Sequence, residues 1–160
     1  MYEQAIDSSG ANSLQFKLLD GEQTALAEEV RTNQAMSSAD LGEKVSYGRA
    51  KQFELSKLVR EARLKGESSK LIAQLTALRR LFHISTILVR AELLTRPQQP
   101  SLSQYSGEEA KFDDMTILER ARGFLELELD HIADADEHAL TMDRLAAFTH
   151  AEHRVERLDY

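Results

Sequence analysis

The chain has no cysteine, which removes disulfides and thiolate metal sites and fits a reducing compartment. Two prolines and seven glycines in 160 residues leave few breakers, and Ala, Leu, Glu, Arg and Gln dominate, a bias towards helix. Long apolar runs are missing too. The longest, Leu81 to Val89, includes His83, Ser85 and Thr86 and is closed by Arg79, Arg80 and Arg90. A membrane helix needs about 20 apolar residues. The start, Met-Tyr-Glu-Gln-Ala-Ile-Asp, shows no basic region followed by an apolar core, and a cytoplasmic location, or one within a particle assembled there, is expected. No phosphate-binding glycine loop, nucleophile elbow or nicotinamide fingerprint appears. A net charge of −7 argues against unspecific binding of the whole chain to nucleic acid or anionic membranes.

What is present is a charge split across Arg96-Pro-Gln-Gln-Pro100. Lys44 to Arg96 holds twelve Lys or Arg against four Asp or Glu, a balance of +8; Ser101 to Tyr160 holds six against fifteen, a balance of −9. Opposite halves can fold onto one another or offer unlike surfaces to partners. Residues 1–20 lack a helical period and read as a flexible arm. Residues 21–160 read as one all-α domain of four to five helices, with a Pro-containing connection at 97–107. The first helix is expected from Glu22 to about Gln34. The second is capped by Ser37 or Ser38 and ends at Gly66, and the third runs from Ser68 or Ser69 to about Thr95. The fourth is expected from a cap at Asp113 or Asp114 to about Ala133, and the fifth from about Thr141 to Leu158.

Faces follow from 100° per residue. On the second helix, Leu41, Val45, Leu55, Val59 and Ala62 align, flanked by Arg49, Lys57, Arg60 and Arg63, a basic edge on which no interleaved aromatic for base stacking is expected. The third helix is apolar on two sides, Leu71/Leu75/Leu78/Phe82/Val89 and Leu81/Ile84/Leu88/Ala91. This places it mid-bundle or against another subunit, and a homo-oligomer or hetero-complex is expected. Between those sides lies a polar stripe of Arg79, His83, Thr86 and Arg90. Glu128 falls within the apolar face of the fourth helix, and Glu152 within a face of Met142, Leu145, Phe148 and Val155 on the fifth. A carboxylate facing a core needs a cation or a proton, so Arg79 and Arg90 are its expected partners. Arg79, His83, Arg90, Glu128 and Glu152 are therefore the candidate binding residues.

Four motifs are weighed and set aside. Glu128-Leu-Asp-His131 has the Glu-x-x-His spacing of di-iron bundles but stands alone. The stretch from Asp134 resembles an EF-hand loop, yet the central glycine is missing and Arg144 stands where the bidentate glutamate belongs. Arg144 to His150 is similar in spacing to HEPN-type helical ribonucleases, with Leu145 where a polar residue usually follows the arginine. His150 and His153 form a lone i, i+3 pair that lacks further zinc ligands. With no cofactor and no catalytic constellation, the expectation is a non-catalytic interaction or assembly protein: part of a particle or secretion machine, an adaptor or an inhibitor. The alternative is a nucleic-acid-binding or nucleolytic protein using the basic 44–96 segment.

Overall fold

The computed structural model describes residues 24–97 and 100–160. The expected arm at 1–20 lies outside them. Five helices follow in order among the described residues: α1 Thr24–Ala35, α2 Ser38–Leu64, α3 Ser69–Leu94, α4 Gly107–Leu129 and α5 Ala135–Glu156. No strand appears among the described residues. The all-α helical bundle read from the sequence is the fold.

The boundaries follow from local chemistry. Ser37 Oγ accepts from Asp40 N at 3.1 Å and Ser68 Oγ from Leu71 N at 3.2 Å, satisfying N–H groups that the first helical turn leaves free. Gly66, at φ +67°, takes the left-handed conformation that ends α2 and turns the chain into α3. Two starts differ from expectation. α4 begins at Gly107, six residues before Asp113, with Glu108 and Glu109 in its first turn where they complement the helix dipole. α5 begins at Ala135 because Asp134 Oδ1 accepts from Asp136 N at 2.8 Å and Glu137 N at 3.0 Å. The Asp134–Asp136 stretch is thus a helix cap.

α2 and α3 form a long hairpin, α4 and α5 a second one, and α3 touches all four other helices. Both apolar sides of α3 are covered within the chain. One half packs with α1, α4 and α5 around Leu88, Leu118, Leu125 and Phe148; the other packs with α2 around Leu55, Leu75 and Leu78. Of the two placements expected for α3, mid-bundle is the one found: its apolar sides face the chain's own helices. The fifth-helix face is also corrected. Thr141, Arg144, Phe148, Ala151 and Val155 point inward, while Met142 is exposed.

The central helix brings two charges inside, and each is paired. Arg90 Nη2 donates to Asp113 Oδ2 at 2.8 Å and Asp114 Oδ1 at 2.9 Å. Tyr160 donates to Asp114 Oδ2 at 2.6 Å, tying the chain end to α4. Glu92 accepts from Arg144 Nη2 at 2.6 Å. Arg96 turns back to donate to the Asn33, Gln34 and Met36 carbonyls, at the end of α1 where carbonyls run out of helical donors.

At Gly48 the hairpin leaves no room for a side chain: an added Cβ would run into Thr86 Oγ1. That hydroxyl is fixed by donating to Phe82 O at 2.7 Å. Gly48→Ala should therefore destabilise by about 1–3 kcal/mol through overpacking, despite the better helix propensity of Ala. Thr86→Ala in the same chain should recover part of that loss. Thermal unfolding of the two single variants and the double checks this, and strict additivity would refute the contact.

Candidate functional site

Beside this close approach, three pockets join into one groove across α2, α3, α4 and the 100–107 connection. A pocket of about 500 Å³ lies between α2 and α3, lined by Gln52, Phe53, Ser56, Arg79, Arg80 and His83. A smaller one of about 230 Å³ shares Gln52 and His83 with it and reaches Arg49, Arg90, Tyr105 and Asp113. A third, about 500 Å³, continues along α4 past Tyr105, Phe112, Asp113 and Arg120. The expected stripe of Arg79, His83 and Arg90 lies along this groove.

A chain of hydrogen bonds sets the central imidazole. Thr86 Oγ1 uses its proton on Phe82 O, so it accepts from Gln52 Nε2, which also reaches Gly48 O. That fixes the Gln52 amide with Oε1 towards His83, at 3.2 Å from Nδ1. An amide oxygen only accepts, so Nδ1 carries the proton and Nε2 is left without a partner in the neutral ring. Burial, followed by the charges of Arg120, Arg79 and Arg80, lowers the His83 pKa.

Cations outnumber their partners here. Among the described residues, Arg79, Arg80 and Arg120 have no ion-pair partner; Arg79 reaches only Ser56 Oγ, at 3.3 Å. Arg49 donates to the Leu102 carbonyl, and burial and then the Arg90 charge lower its pKa. Asp113 is the acid of this end. Burial pushes its pKa up, but hydrogen bonds from Arg90 and Ser103 outweigh that and hold it below the usual carboxylate value.

Sequence reasoning missed the aromatic rim. Phe53 is 76% exposed, Phe112 74% and Tyr105 58%, and all three line the groove. Phe53 lies among the basic positions of α2, where no aromatic was expected; Tyr105 arrives from the segment read as linker, and Phe112 from the stretch just before the expected start of the fourth helix. Arg120 escaped notice because it belongs to the acidic half.

The remaining candidates lie elsewhere. Glu152 pairs with Arg122 at 2.6 Å on a partly exposed flank, and Arg90 with Asp113 and Asp114, so the expected pairing of Glu128 or Glu152 with Arg79 or Arg90 is corrected. Glu128 is fully buried, and among the described residues neither carboxylate oxygen accepts a well-formed hydrogen bond. Burial raises its pKa to about 7, opposed only by the backbone N–H of Leu26 in the first turn of α1. The set-aside motifs do not assemble: His131 is exposed while Glu128 is buried, and Arg144 points into the core towards Glu92 while His150 is exposed. Arg144 thus faces away from the turn whose cation binding it was expected to oppose. Among the described residues no three potential metal-ligating side chains converge.

No protein-family model, curated protein sequence or solved structure matches this chain.

Glu128 gives a signed pH dependence. Its carboxyl holds a proton up to about pH 7 when folded and loses it near 4.5 when unfolded. Between those values the native state binds more protons, so stability falls as pH rises, by about 3 kcal/mol from this group. Glu128→Gln, a neutral isostere, should flatten that slope and raise stability at about pH 8. Glu152→Gln breaks only a partly exposed pair and should cost about 1 kcal/mol or less. Urea unfolding at acidic, neutral and alkaline pH measures both.

Proposed function

We propose that the chain is a non-catalytic helical interaction protein, acting as an adaptor, inhibitor or assembly component through the α2–α3–α4 groove. The observation that carries this reading is the exposure of Phe53, Tyr105 and Phe112 along a groove whose Arg79, Arg80 and Arg120 have no carboxylate partner among the described residues. Aromatic and arginine side chains are enriched at the centres of protein interfaces because they bury much area at small entropic loss. Single exposed apolar residues are ordinary on any surface, whereas three aromatics along one groove are not.

A second reading, single-stranded nucleic acid binding, draws on the same neighbours, since bases stack on exposed aromatics between cations. Glu108, Glu109 and Asp113 along the α4 end weigh against it, because they repel the next phosphates of a strand. Binding to arbitrary DNA or RNA that falls steeply with ionic strength would favour this second reading.

Photo-crosslinking residues at Phe53 and Phe112, in cells that produce the protein, test the docking reading. Adducts should form at these positions and be absent at Leu127 and Leu140, exposed apolar positions outside the groove. Equal adducts at all four, or none in the groove, would refute it.

A further inference from the structure

The groove contains a feature more specific than a sticky rim. Arg79, Arg80 and His83 line one pocket between α2 and α3, and Arg120 lines the stretch of the groove along α4 that adjoins it; the charge of each arginine is felt at the imidazole. None has a carboxylate partner among the described residues. Elsewhere the chain pairs its less exposed arginines: Arg90 with Asp113 and Asp114, Arg144 with Glu92, Arg122 with Glu152. Three guanidinium groups left around one imidazole repel one another, and an anion would relieve that repulsion.

We infer that Arg79, Arg80, Arg120 and His83 form a binding site for a phosphomonoester dianion. This rests on the reading of the groove as the docking surface and names the chemistry that the surface recognises.

The donor set selects the anion. Guanidinium forks match the oxygens of phosphate and carboxylate, and one carboxylate offers two oxygens and one charge. Three guanidiniums and an imidazole fit a ligand with three acceptor oxygens and close to two charges, which a phosphomonoester has at neutral pH. The hydrogen-bond chain through Thr86 and Gln52 leaves His83 Nε2 unpartnered, so on protonation it becomes a fourth donor. Phe53, on the lip of the same pocket, supplies a flat apolar surface for whatever carries the phosphate. The compact cluster, bounded along α4 by Glu108, Glu109 and Asp113, favours one phosphate over a continuous backbone.

Binding is linked to proton uptake. The charged groups around His83 are Arg79, Arg80 and Arg90 from α3, Arg49 from α2, and Arg120 and Asp113 from α4; Arg90 is already paired with Asp113, α2 adds the neutral Gln52 and Phe53, and the connection adds Tyr105. A bound dianion opposes the three cations and raises the His83 pKa. Affinity should therefore increase as pH falls from about 7.5 towards 6, near which the ester itself begins to take up a proton.

The test follows the His83 imidazole by NMR in the full chain, with O-phosphotyrosine, adenosine monophosphate and a short oligothymidylate as probes. Tyrosine and adenosine serve as dephosphorylated controls. O-phosphotyrosine or the nucleotide should shift His83 saturably and raise the thermal midpoint, and whichever binds tighter identifies a partner's phosphorylated side chain or a free nucleotide as the source. Arg79→Gln and Arg120→Gln should each weaken binding by about tenfold or more, as expected for losing a charge-assisted hydrogen bond. Arg157→Gln, on the exposed end of α5, should leave it unchanged. The proposal is overturned if neither monoester shifts His83 up to about 10 mM, if the two arginine variants bind as well as the parent, or if only the oligonucleotide binds. Should the monoesters fail while crosslinks in the groove persist, this site falls and the docking reading stands.

Discussion

The structure depends on how α3 carries charge through its own interior. Arg90 and Glu92 are two residues apart, about 200° around the helix, so they point to opposite sides. Neither can be left alone in a low-dielectric core, where an unpaired charge costs several kcal/mol. Arg90 therefore fixes how the second turn of α4 sits on α3, since Asp113 and Asp114 must reach it. Glu92 fixes the rotation of α5, since Arg144 must point inward. These two demands set the packing of the α4–α5 hairpin on α3 and explain why α5 presents Thr141, Arg144 and Phe148 to the core rather than Met142.

The charge split between the halves is only slightly cancelled by folding. Among the ion pairs of the described residues, Arg90 with Asp113 and Asp114 joins a base of the 44–96 segment to acids beyond 101. Glu92 with Arg144 runs the opposite way, and Arg122 with Glu152 lies within the acidic half. Arg79 and Arg80 stay without carboxylates while Glu108 and Glu109 stand exposed at the start of α4. The split thus persists as two unlike surfaces meeting in one groove.

Helix existence was legible because period and caps agreed. Ser37, Ser68 and Gly66 mark α2 and α3 in the residues themselves, and the structure uses each of them. The two late starts came from reading local polarity as loop. Ser106 followed by Glu109 has the spacing of a capping box, and Asp134 is a cap residue, but both lie next to Gly, Ala or Asp that equally suit turns. Glu128 was correctly placed on a buried face, yet the sequence could not show that, among the described residues, no cation reaches it. Pairing depends on the rotation of neighbouring helices, which a single helix's period does not encode. The same holds for the groove: Arg79 and His83 could be read from α3 alone, whereas Arg120, Phe112 and Tyr105 come to it only through the tertiary fold.

The groove is ordered by a backbone contact rather than by its own polar groups. Gly48 lets α2 approach α3 closely enough for Gln52 to bridge Thr86 and His83. Thr86 in turn is held by a carbonyl of its own helix, so the orientation of the imidazole traces back to regular helical geometry. A side chain aligned this way loses little further freedom when it meets a ligand, which lowers the entropic cost of binding. The flanking arginines lack such anchors, apart from the contact of Arg79 with Ser56. The site therefore combines one hydrogen-bonded ring with cations that few contacts restrain among the described residues, an arrangement that suits an anion on varied carriers while holding a single reference point for the anion itself.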